Sequence, residues 1–259
     1  MTPAPALGLT LNPRRLTALG RSELTLLVRN RAALSVALLM PLLMVFILRS
    51  TLGGSEGAAA VGEATLTGGI GMVLLLVVYM NLVSAFVARR EELVLKRLRT
   101  GEANDLEILA GTALPSAVLA AGQSTVLAVA GAAALDVAMP RSPLLLVAAV
   151  LAGLVLLAGM SALTSAVTRT VESAGLTTLP LFLLTALGSG LFVPLERLPG
   201  TLASVCELLP LSGVMTLVRA GWSGGAQAHD LLGAALTTLA WVMITVFAVR
   251  KWFRWEPRR

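Results

Sequence analysis

Charge is scarce in this sequence: Asp, Glu, Lys and Arg supply only 13% of the 259 residues, against 56% hydrophobic ones. With repeated uncharged apolar runs of about 20 residues, that balance excludes a soluble globule and places the chain in the multi-span membrane class. There is one cysteine and one histidine. A disulfide framework would need a second chain, no Cys/His metal cluster can be assembled, and Cys206 reads as a small packed residue. Aromatic residues amount to 4%. The formal charge of +6 therefore does not read as a nucleic-acid surface, and its arginines stand at the ends of apolar runs, where membrane topology accounts for them. No G-x-x-x-x-G-K-[ST] phosphate loop occurs, so the chain is not expected to bind ATP in that way. The segment MTPAPALGLTLNPRRL has no basic region followed by an apolar one, as a cleaved signal requires, and the first span is expected to serve as the targeting signal.

What is present is a succession of six apolar runs. Asn12 and Pro13 mark a helix start, and residues 14–31 place Leu16, Leu19, Leu24, Leu26 and Leu27 on one arc with Arg14, Arg21 and Arg29 opposite. The pattern predicts an amphipathic helix lying in the membrane interface, with Glu23 facing a neighbouring helix or partner. The predicted spans are Ala32–Leu48, Leu66–Ala88, Thr112–Leu135, Pro143–Val167, Ser173–Phe192 and Leu231–Val249. A Gly/Ala-rich loop, Ser50–Thr65, separates the first two, and a basic tail, 251–259, follows the last. If the membrane domain is taken as residues 32–250, sixteen Lys and Arg fall on one side and four on the other. By the positive-inside rule both termini are expected to be cytoplasmic.

One charged run interrupts this pattern. Arg89 to Glu107 carries five basic and five acidic residues between two spans. Mixed signs suit a protein partner better than lipid or nucleic acid. Glu92 and Lys96 stand four apart, and Val94, Leu95 and Leu98 form a narrow apolar stripe on the same short helix. Thr100 and Gly101 break it, and Asn104 with Glu107 reads as a capping box opening the third span. The expectation is a rigid helix presenting leucines and charges to the cytoplasm.

On the opposite side, residues 193–230 contain Pro194, Pro199 and Pro210 and two apolar pieces, Thr201–Leu209 and Leu211–Ala220. Each reaches roughly 15 Å as a helix, half a hydrocarbon core. A re-entrant or capping pair of short helices is predicted there.

No Asp, Glu, Lys, Arg or His lies inside the predicted spans, which counts against proton-coupled transport. Tyr79, Asn81 and Ser84, with Gln123, Ser124 and Thr125, are the polar residues at depth. They either line a substrate path or hydrogen-bond neighbouring helices. An intramembrane protease would need Ser189 and His229 face to face; close helix packing explains Gly188-Ser189-Gly190 better.

Arg90-Glu91, Leu95-Lys96-Arg97-Leu98-Arg99 and Thr100-Gly101 after the second span, with Val193-Pro194-Leu195, Leu198-Pro199 and Leu209-Pro210-Leu211 before the last, resemble the membrane subunits of type-2 ATP-binding-cassette transporters. The resemblance covers nearly the whole chain. It implies an all-α, six-span permease with an interfacial connecting helix and an external re-entrant pair. It also implies that Glu91, Glu92, Leu95, Lys96, Arg97, Leu98 and Arg99 dock on a separate ATPase subunit. ATP and Mg would reside on that subunit, and no cofactor on this chain. A second copy or a sibling permease would complete a cavity bordered by Tyr79, Asn81, Gln123, Ser124 and Thr125, and export of an amphiphilic, drug-like cargo from a bacterial cell is expected. Leu93 stands where the family often has glycine, which implies a docking helix that starts earlier than usual. A secondary transporter and a membrane scaffold without an ATPase are the alternative readings.

Overall fold

The computed structural model describes residues 58–100, 104–135, 137–192, 195 and 198–256, with isolated positions before them. The predicted interfacial helix over 14–31 and most of the first span lie outside the described residues. Of the first span, Val45 is helical and belongs to the buried core.

Every element among the described residues is helical. Helix α1 (Ala58–Val73) runs on through a π-helical segment, π1 (Leu74–Met80), into α2 (Asn81–Glu91). Counted from Ala59, this is one span of 33 residues. The loop expected up to Thr65 is thus helix from Ala58 onward. Alanine favours helix, and Gly62 lets the first turns lie close to the end of the next span, where an added Cβ would stand 2.9 Å from Val137 Cγ2. The π-helical register shifts the backbone partners, and the Ser161 hydroxyl donates to the Tyr79 carbonyl at 3.0 Å. A polar side chain on a neighbouring helix thereby meets a main-chain group that lipid could not satisfy.

After the short helix α3 (Val94–Thr100), α4 (Asp105–Leu135) has 31 residues. At 1.5 Å per residue it is about 46 Å long, more than a hydrocarbon core of about 30 Å needs. The excess is taken up by tilt or by turns outside the apolar layer. Helix α5 (Pro143–Val167) has the predicted bounds, with proline in its first turn. Helix α6 (Val171–Gly188) begins two residues before the predicted start, because Thr170 and Ser173 cap it reciprocally. It ends before Phe192, where Gly190 takes φ +71°.

The predicted pair of short helices is present as α7 (Gly200–Glu207) and α8 (Ser212–Ser223), bent by 92° at their junction. Cys206 is buried there as a free thiol, and its carbonyl accepts from the Ser212 hydroxyl. Helix α9 (Ala228–Trp252) closes the bundle. Five helices among the described residues are long and apolar enough to cross a membrane, α1 to α2 counting as one.

Helix α5 sits at the centre, touching π1, α2, α8 and α9. Two glycines of α8 permit its close approach. A Cβ on Gly213 would stand 2.5 Å from the Ala234 carbonyl oxygen of α9, and one on Gly221 would stand 2.8 Å from the Leu146 nitrogen of α5. Backbone bonds from Arg141 and Ser142 to the carbonyls of Trp222 and Gly221 place the α4–α5 turn beside the end of α8. The charged segment, the α5–α6 turn and the chain end meet on another face, described next.

Candidate coupling site

The site is built where α2 leaves the bundle. Its last turn carries Arg89 and Arg90, cations at a helix C-terminus. Arg90 is 1% exposed. Its guanidinium donates to the Ser165 carbonyl at 2.7 Å and to the Thr168 carbonyl at 2.6 Å. Those carbonyls belong to the last turn and cap of α5, where no intrahelical donor remains. A buried arginine thus joins the foot of the second span to the end of the fourth. Sequence reasoning missed this role; the signal available was only an arginine two residues past the predicted end of the span, Ala88.

The chain then turns at Leu93, which has φ +59°, the positive-φ non-glycine residue among those described. The left-handed conformation costs an L-residue roughly 1–2 kcal/mol. This corrects the expected early start of the docking helix: α2 ends at Glu91, Leu93 is itself the bend, and α3 starts at Val94. Leucine occupies the very position where a glycine would be unstrained.

The apolar stripe of α3 is not wholly turned outward as predicted. Leu95 is fully buried against the chain itself and Val94 and Leu98 are half-buried, whereas Glu91, Glu92, Lys96, Arg97 and Arg99 are exposed. The ion pair suggested by spacing is replaced as well. Lys96 Nζ lies 2.8 Å from Glu256 Oε1, near the chain end. At the far end of α3, Arg99 Nε donates to Asp105 Oδ1 at 3.0 Å. The predicted capping box is present: the Asn104 side chain accepts from the Glu107 nitrogen at 2.9 Å, and the Glu107 carboxylate accepts from the Asn104 nitrogen at 3.1 Å.

The tail completes the site, which sequence reading did not foresee. Phe253 meets Phe86 of α2 edge to face at 6.0 Å, Trp255 meets Phe253 at 4.8 Å, and the Arg99 guanidinium lies 4.8 Å from the Trp255 ring. Three aromatics within four residues, Trp252, Phe253 and Trp255, were the signal. Helix α3 is therefore held from beneath by Leu95, from behind by the tail and at its far end by Asp105. Its outward face is left charged.

The polar residues at depth are distributed differently. Tyr79 is 1% exposed, and its hydroxyl lies 3.2 Å from Thr164 Oγ1. Gln123 and Ser124 are buried in α4, while Asn81 and Thr125 are exposed on the bundle surface. Asn81 Nδ2 also donates to Ser116 Oγ at 3.3 Å. Ser189 is buried, bonded through its hydroxyl to the Ala186 carbonyl, and exposed His229 pairs with Asp230 at 2.9 Å. Nothing brings that serine and histidine together among the described contacts.

Residues 14–222 match the ABC-2 type transporter family along most of the chain. The chain belongs to that family. No curated protein matches it. As an ABC-2 membrane component it is a multi-pass transport protein rather than a catalyst in its own right, and permeases of this kind normally work with an ATPase subunit. The described helices, five of them able to span, agree with a membrane-embedded ABC-2 domain. Helix α3, with Arg90 and Asp105, falls inside the matched residues, whereas the tail that braces α3 lies beyond them.

Proposed function

We propose that this chain is the permease subunit of an ATP-driven exporter, and that α3 receives the stroke of a separate ATPase subunit carrying ATP and Mg. The observation that carries the reading is the mounting of α3. Its exposed charges project from a helix fixed on three sides, at the foot of a continuous 33-residue span. A push on such a helix is passed through Arg90 to the end of α5 and through Asp105 to α4. Within the docking set, Glu91, Glu92, Lys96, Arg97 and Arg99 make the contact, while Leu95 and Leu98 seat the helix.

The charged face is then cytoplasmic, in a bacterial plasma membrane. Two copies, or this chain and a sibling, enclose a cavity, and exposed Asn81 and Thr125 are the polar residues placed to face a second copy. Span interiors free of ionisable residues suit a hydrophobic or amphiphilic, drug-like cargo. The test is purification of the chain from its native host, with and without Glu91→Ala plus Arg97→Ala. An ATPase co-purifying with the unaltered chain and lost with the double variant is expected. Absence of any ATPase from both samples would move secondary transport or a scaffold role to the front.

A further inference from the structure

Between α4, α5 and α9 lies a cavity of about 360 Å³, distinct from the exposed face of α3. Its volume is within the usual range for a bound small molecule. Along α4 the lining runs from Asp105 to Ala117, about 18 Å at the rise of a helix. The two ends differ in chemistry. The deep end is formed by Leu154, Ala117 and other apolar side chains, with Ala158, Gly159 and Ala162 of α5 making the room. The shallow end, at the level of α3, holds Arg250, Asp105 and the indole of Trp255. Asp105 is already paired with Arg99. Arg250 is exposed and has no ion pair or hydrogen bond among the described residues, and Lys251 and Arg254 stand beside it in the chain.

We propose that this cavity binds one anionic phospholipid of the leaflet on the α3 side, an acyl chain lying along α4 and α5 and the phosphate against Arg250. A slot that is apolar in depth and cationic at the headgroup level fits an amphiphile of that charge, and basic pockets between membrane helices recognise such headgroups. An indole at the rim is also the side chain that prefers the interface. Because Phe253 and Trp255 line the slot and Trp255 also holds Arg99, the lipid contacts the brace of the coupling helix directly.

The experiment is native mass spectrometry of the full chain in detergent with dioleoyl phosphatidylglycerol or dioleoyl phosphatidylcholine. Preferential retention of phosphatidylglycerol is expected. Arg250→Gln, a change at an exposed residue, lowers that preference about fivefold, the effect of one cation near a charged headgroup. Ala113→Phe, which fills the slot, removes retention of both lipids. Equal retention of the two lipids, unchanged by Arg250→Gln, would overturn the proposal. So would absence of any bound lipid, which would give the slot to another segment or a second copy. Full displacement by glycerol 3-phosphate would assign the basic end to a free phosphate instead. None of these outcomes depends on an ATPase being bound.

Discussion

Arg90 Nη2 lies 2.6 Å from the Thr168 carbonyl oxygen, so the cap of the fourth span is completed by a side chain from the second. Both groups are buried, at 1% exposure each. Removing the guanidinium would leave the Thr168 and Ser165 carbonyls without these donors. Hydrogen bonds to a charged group are worth about 1.5–3 kcal/mol. Arg90→Ala is expected to destabilise the chain by at least that amount in thermal unfolding in detergent. Arg90→Lys recovers only part of the loss, since an ammonium cannot reproduce the two-pronged geometry.

Leu93 offers the opposite case, a residue whose replacement helps. Leu93→Gly relieves the left-handed backbone at φ +59°. Part of the gain is offset by the larger entropy of glycine in the unfolded chain. A net stabilisation of up to about 1 kcal/mol is expected. Leu93→Val, β-branched at the same angle, is expected to lower the unfolding temperature.

The tail contact predicts a local effect with little global one. Trp255→Ala removes the surface on which Arg99 rests and half of the Phe253 pair. Amide exchange in residues 94–100 is expected to quicken while the unfolding temperature changes little. Glu256→Gln should scarcely alter that exchange, because Lys96 and Glu256 are 54% and 67% exposed and such a pair contributes about 1 kcal/mol at most.

Two glycines provide a paired test of the packing of α8. Gly213→Ala forces a methyl against the backbone of α9 and is expected to cost about 1–3 kcal/mol, as overpacking does. Gly233→Ala, within α9 and facing open space, is expected to be neutral or stabilising by up to about 1 kcal/mol. Equal effects of the two changes in thermal unfolding would show that α8 and α9 are not in that contact.

Local chemistry made much of this fold legible. Pro143 and the uncharged run behind it set α5 to the residue, and the Asn104–Glu107 spacing located the start of the third span. The lengths of the two apolar pieces after Pro199 required short helices, and α7 and α8 are those pieces. What escaped was non-local. Lys96 pairs across 160 positions with Glu256 rather than with Glu92, because a helix shows which residues share a face and not what lies opposite. Leu95 looked outward-facing for the same reason: an apolar stripe fits a partner and a protein's own core equally well. The Ala58 start was hidden by glycines and by Glu63, which resemble a loop until the packing against Val137 is seen.

The central claim is that the charged face of α3 meets an ATPase, and site-directed photocrosslinking in the native host tests it most directly. A photoreactive amino acid replaces Arg97 on α3 or, as a control, Leu202 on α7, both exposed. The account predicts that the Arg97 position captures a protein carrying a G-x-x-x-x-G-K-[ST] phosphate loop and that the Leu202 position does not. Capture of lipid alone at Arg97, or of the same ATPase equally from both positions, would contradict it.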